Sequence, residues 1–252
     1  MRRLNLFLVV LLFIPLASAQ SISPAQLPPA FNASYDLLKK GLPIAETQYQ
    51  FSKNSTSALF NSNTQLTGMA AWFSDEQLSE SSQFEFSNNQ VRVVSYQYHQ
   101  TGKKALSINS IFNKDKENIV TRINQQTAIN TDYQTPVWDK LSMLIVLMAS
   151  ANHENKSLQF NAIDNGEIKS YQLSKTGVKE IELDEDNWIK TIRWQRINKN
   201  RKTVFYLDPK QHFLPVKIEQ YKRDKRRATL LLKEIQWHQP AKQQNNHINT
   251  ND

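Results

Sequence analysis

The chain contains no cysteine. That removes disulfides, thiolate nucleophiles and cysteine-ligated metals together. Glycine is nearly as scarce, five in 252 residues, and neither a phosphate-cradling glycine loop nor a Gly-x-Ser-x-Gly elbow occurs. The five histidines are His99, His153, His212, His238 and His247, and no two have the i, i+4 spacing of a helical zinc site. Asp184-Glu185-Asp186 is the one dense acidic run, but it lacks the glycine and the spaced oxygen ligands of a calcium loop. It reads as a solvated turn. The sequence therefore assigns no catalytic residue, no metal and no cofactor.

Long apolar runs are also rare, and the main one is at the start. Arg2-Arg3 precede an apolar stretch over Leu4–Leu16, and Ala17-Ser18-Ala19 has the small-x-small form that signal peptidase reads. The expectation is a cleavable signal peptide over 1–19 and a periplasmic protein, with no transmembrane segment after cleavage. The formal charge of +8 becomes +6 once Arg2 and Arg3 leave with the leader. A basic balance suits nucleic acid, an anionic membrane or neither. Export argues against nucleic acid.

Four of the glycines punctuate hairpin-like stretches: Gly41, Gly102, Gly166 in Asp164-Asn165-Gly166, and Gly177. Gly68 falls within a strand-like stretch and reads as a bulge. Between these points apolar and polar residues alternate with period two, as in Ser34–Leu38, Ile44–Phe51, Val91–Tyr98, Trp188–Ile197, Leu214–Tyr221 and Thr229–Trp237. That pattern predicts a mainly β fold, a long antiparallel curved sheet or open barrel. The expected layout is a linker over 20–30, a single β-rich domain over 31–237 and a disordered tail over 238–252.

One segment breaks the alternation. Thr135-Pro136 opens a run through Met143–Ala149 that predicts one apolar helix over about 136–151, with Thr135 as N-cap and Asp139 as the rival cap of a later start. Apolar almost all round, it must be buried, packed across the concave face of the sheet. Trp188, Ile192 and Trp194 share a strand face and read as core. Near the C-terminus, Asp208-Pro209 stops one strand, Pro215 suits the beginning of the next, and Lys222-Arg223-Asp224-Lys225-Arg226-Arg227 forms a charged hairpin tip. At about 1 kcal/mol per cation against an anionic surface, this tip alone supports only weak contact.

Four stretches carry a resemblance: "YDLLKKGLPIAETQYQF", with Tyr35 and Gly41; "WDKLSMLIVLMAS", with Asp139 and Ser142 at an Asp-x-x-Ser helix start; "NWIKTIRWQRI"; and "YLDPKQHFLPVKIEQ". Together they resemble the exported Gram-negative proteins grouped as domain of unknown function 3108, over roughly residues 31–237. The sequence departs at Phe205-Tyr206, where the family has Trp, and at the basic tip, where many members turn on glycine. The resemblance implies an exported, mostly β domain without an assigned activity, and it transfers no catalytic residue.

The leading expectation is a non-enzymatic envelope protein that binds a lipid-like or other apolar ligand, lined by Trp138, Leu141, Ile145, Met148 and Trp194. The alternative is an envelope assembly factor that contacts a protein or peptidoglycan partner through Lys222, Arg223, Lys225, Arg226 and Arg227. A carbohydrate hydrolase is a third reading and requires two carboxylates converging in one cleft.

Overall fold

The computed structural model describes residues 21–133, 136–151 and 156–238. The expected leader over 1–19 lies outside the described residues, as does the expected tail apart from His238. The first arm of the chain is β1 (Ala30–Lys39), β2 (Leu42–Lys53), β3 (Ser57–Leu66), a short helix α1 (Met69–Phe73), β4 (Gln77–Ser87), β5 (Gln90–Gln100), β6 (Leu106–Asn113), β7 (Asn118–Ile123) and β8 (Ile129–Asp132). The second is β9 (Val137–Trp138), α2 (Ser142–Ser150), β10 (Ser157–Asp164), β11 (Glu167–Asp184), β12 (Asn187–Asn198), β13 (Arg201–Asp208), β14 (Leu214–Lys222) and β15 (Lys225–His238).

All fifteen strands form one sheet. Each pairs with its neighbour in sequence, except that β1 pairs with β15 and the run breaks between β8 and β9. The molecule is thus a meander wound nearly full circle, with its two free edges on strands that follow each other in the chain. It is an open, curved sheet and not a closed barrel. The alternation is explained by the curvature: residues on one face of each strand point into a single core, as Phe31, Ala33 and Tyr35 do on β1. Several two-residue turns take positive φ at both central positions, including Lys40-Gly41, Asn88-Asn89, Asn165-Gly166 and Arg223-Asp224. This is the turn geometry that matches strand twist.

α2 lies in the main core. Ile145, Val146, Leu147, Met148 and Ala149 are all buried in one cluster with residues from both arms, among them Phe60, Phe84, Phe160 and Trp194. Each such large side chain contributes about 1.5–3 kcal/mol of burial. Small polar residues face the same interior, with Ser62, Ser82, Ser110 and Thr121 buried on β3, β4, β6 and β7.

The structure corrects several expectations. The helix runs over Ser142–Ser150, not 136–151, because Val137-Trp138 pairs in parallel with Asn161-Ala162 as a sheet edge. It is not the lone helix either: Gly68 (φ +55) opens α1 and makes no strand bulge. Gly177 makes no hairpin. β11 continues through it with a bend, its register irregular between Lys175 and Gly177, where the positive φ of +118 suits glycine. Beyond that kink, Ile181, Leu183 and Ile189 pack with Val204, Tyr206 and Val216 in a second, smaller core. Trp188 does not share the burial of Trp194; it is 60% exposed. The stretch read as a linker is packed, since Ile22 and Leu27 are buried and the Ile22 carbonyl accepts a bond from Val91 N.

Candidate functional site: the seam and its interior

Where the two arms meet, the chain leaves a groove of about 740 Å³. Its walls come from β5 (Val91–Val94), the β6–β7 turn and the seam segment around Tyr133 and Pro136–Trp138. Val91, Val93, Phe112, Val137 and Trp138 supply an apolar floor, all of them buried. Glu85, Arg92, Lys114, Asp115, Lys116 and Glu117 supply charges of both signs. Burial pushes the Tyr133 phenol above its ordinary value, although Arg92 opposes the shift. The indole N–H of Trp138 is buried and has no hydrogen-bond partner among the described residues.

Behind Trp138 lies a buried carboxylate. Asp139 Oδ1 accepts bonds from Ser82 Oγ (2.7 Å), Leu141 N (2.8 Å) and Ser142 N (2.8 Å). In return Asp139 N donates to Ser142 Oγ at 2.8 Å. This reciprocal pair explains the Asp-x-x-Ser spacing: each side chain satisfies a backbone or side-chain group of the other at the start of α2. Asp139, the rival cap, is therefore the operative one, while Thr135 lies outside the described residues. Oδ2 of Asp139 has no partner among the described residues. Burial raises the Asp139 pKa to about 6 against the pull of its hydrogen bonds. Nearby, Tyr96 donates to Glu80 Oε2 at 2.6 Å, and burial raises Glu80 too. The two carboxylates repel each other, and both are tied into the protein by these bonds.

A second polar cluster sits beside the basic tip. Glu219 is buried and accepts from Tyr221 (2.8 Å) and Tyr206 (3.0 Å), with Lys217 at 3.2 Å and Arg226 at 3.3 Å. Burial alone would raise its pKa; the phenols and Lys217 bring it below the ordinary carboxylate value. A small pocket of about 120 Å³ lies here, lined in part by Lys40, Lys217, Arg226, Arg227 and Glu182. Among the described residues no group of three or more His, Cys, Asp or Glu side chains is placed to hold a metal. No helix among them is long and apolar enough to cross a membrane.

The residues singled out from the sequence separate cleanly. Trp138, Leu141, Ile145, Met148 and Trp194 all join the main core, and Trp138 also lines the groove. Lys222, Arg223, Lys225, Arg226 and Arg227 are exposed at the β14–β15 tip. Sequence reasoning missed Glu80, Ser82 and the groove wall on β5. Ser82 meets Asp139 across 57 residues of chain, and no local pattern announces such a contact.

The geometry defines a class: an open, barrel-like β protein whose interior holds an apolar helix and buried carboxylates. Residues 30–229 match the model of the family described as Protein of unknown function (DUF3108), and the chain belongs to that family. No curated protein matches it. Among solved structures it is similar to the beta-barrel-like protein of domain of unknown function DUF1849 from Brucella abortus. The TM-score is 0.53 at 10% identity, over 84% of this chain and 99% of that one. At that identity the likeness concerns the fold alone.

Proposed function

We propose that the protein is an exported, non-enzymatic binding protein of the cell envelope that shelters an apolar chain or ring in the seam groove. The observation that carries this reading is the groove itself, large enough for a small ligand and apolar at its floor with charges around it. Such a site suits an amphipathic molecule, its apolar part against Phe112 and Trp138 and its polar part among Arg92, Lys114 and Lys116. Export rests on the leader pattern in residues 1–19. The test is native mass spectrometry of the protein purified gently from an envelope extract. An added mass in the lipid range that disappears in Val94→Trp, which narrows the groove, is the expected result. A clean apo mass in the unaltered protein would sink the reading. The exposed basic tip favours a second reading, contact with an envelope protein or peptidoglycan. Its sign is a defined partner lost on charge reversal at Arg223, Lys225 and Arg227.

A further inference from the structure

The strands alternate in direction, so the topology sorts the turns into two ends. The β1–β2 turn at Lys40-Gly41, α1, the Gly102–Lys104 turn, the β12–β13 turn and the β14–β15 tip share one end. Among the described residues the four most exposed large apolar side chains all lie there: Trp72 at 85%, Met69 at 74%, Leu42 at 68% and Ile197 at 62%. Single exposed apolar residues are ordinary; four gathered at one end are not. The same end carries exposed Lys39-Lys40, Lys103-Lys104 and the cations of the tip. The exposed acids on the turns of this end are Asp75, beside α1, Asp224, and Glu167 after the β10–β11 turn, fewer than the cations. At the far end the described chain both begins and ends, at Ser21 and His238, whereas the acidic β11–β12 hairpin bends back beyond Gly177 and brings Glu182 beside Lys40, Gly41, Arg226 and Arg227.

The geometry points to this end of the sheet as a docking face for an anionic lipid bilayer. Trp72, Met69 and Leu42 enter the headgroup layer, where an amphipathic indole is favoured, and the lysines and arginines around them meet lipid phosphates. Each half supports the other: cations bring the end to the surface, and apolar side chains hold it there. A polyanion such as nucleic acid would engage the cations but leave Leu42 and Met69 in water. The groove opens near the far end, beside the β4–β5 and β6–β7 turns, and this inference stands independently of it.

The test is co-sedimentation of the protein with vesicles, the apolar leader 1–19 removed so that it contributes nothing. Vesicles of phosphatidylcholine alone are compared with the same lipid mixed with phosphatidylglycerol. Binding is expected to the mixed vesicles only and to weaken with added salt. The double variant Trp72→Ser/Met69→Ser should lower partitioning about tenfold. Neutralising Lys39, Lys40, Arg223 and Lys225 to Gln should lower it about fivefold per charge removed. All these side chains are exposed, and an unchanged melting temperature verifies each fold. A second readout needs no disruptive variant: the emission difference between the unaltered protein and Trp72→Phe should shift to the blue on mixed vesicles. Equal binding to both vesicle types, no binding, or binding that survives the Trp72→Ser/Met69→Ser change would overturn the inference. Capture on a soluble polyanion with vesicles ignored would overturn it in favour of an acidic partner.

Discussion

Asp139 concentrates the physical tension of the interior in one side chain. Its Oδ1 receives three hydrogen bonds while Oδ2 receives none among the described residues. Asp139→Ala removes the helix cap and strands two buried N–H groups, so it should cost about 3 kcal/mol in denaturant unfolding. Its titration runs against the usual behaviour of acids. The folded pKa, about 6, lies above the ordinary carboxylate value because of burial, so the folded state holds the proton more tightly. The stabilisation from this group is full below about pH 3.9 and is lost as pH rises through about 6. The unaltered protein should therefore lose stability relative to Asp139→Asn between those limits, on the order of 3 kcal/mol for a shift of this size. A flat difference across that range would show Asp139 ionised without penalty. Asp139 and Ser142 were legible as a motif; their burial was not, because Ser82 comes from a distant strand.

At the scale of elements, alternation located most strands, since one buried face enforces period two. It failed where an element is too short for a period or where tertiary contact decides. β8 has Ile129 as its only apolar residue, and Val137-Trp138 reads as the first turn of a helix until it pairs with β10. Gly177 resembles a turn signal, yet its positive φ serves a bend within β11. The apolar run of α2 correctly announced burial, but composition does not distinguish a ligand wall from packed core. Ile145 is 1% exposed within the main cluster. Ile145→Ala should then destabilise by about 2–5 kcal/mol while leaving any mass bound in the seam groove unchanged. Loss of that mass in a variant that still folds would make α2 part of the binding wall.

The whole molecule is a ring cut once, and the cut decides what the sheet can do. Fourteen neighbouring pairs hold the strands together, but between β8 and the β10–β11 turn the closure rests on a few contacts. Thr131 Oγ1 donates to the Gly166 carbonyl at 2.6 Å, and Ile129 packs against Gly166 so closely that a Cβ there would lie 2.8 Å from its Cδ1. Gly166 also has φ +82, so Gly166→Ala meets both backbone strain and a clash, about 1–2 kcal/mol together. β1 and β15, paired on both sides at the middle of the sheet, do not feel that contact. Hydrogen exchange separates a local effect from a global one. In Thr131→Val and Gly166→Ala, amides of β8 and of the β10–β11 turn should exchange faster while β1 and β15 keep their protection. If protection instead falls evenly across the sheet, the seam belongs to the cooperative core. An unchanged β8 would mean that the contact with Gly166 does not hold this edge in place. The expected pattern loosens the strand that leads directly into Tyr133, a lining residue of the groove, without unfolding the rest, and a barrel-like protein can then admit a ligand wider than its resting opening.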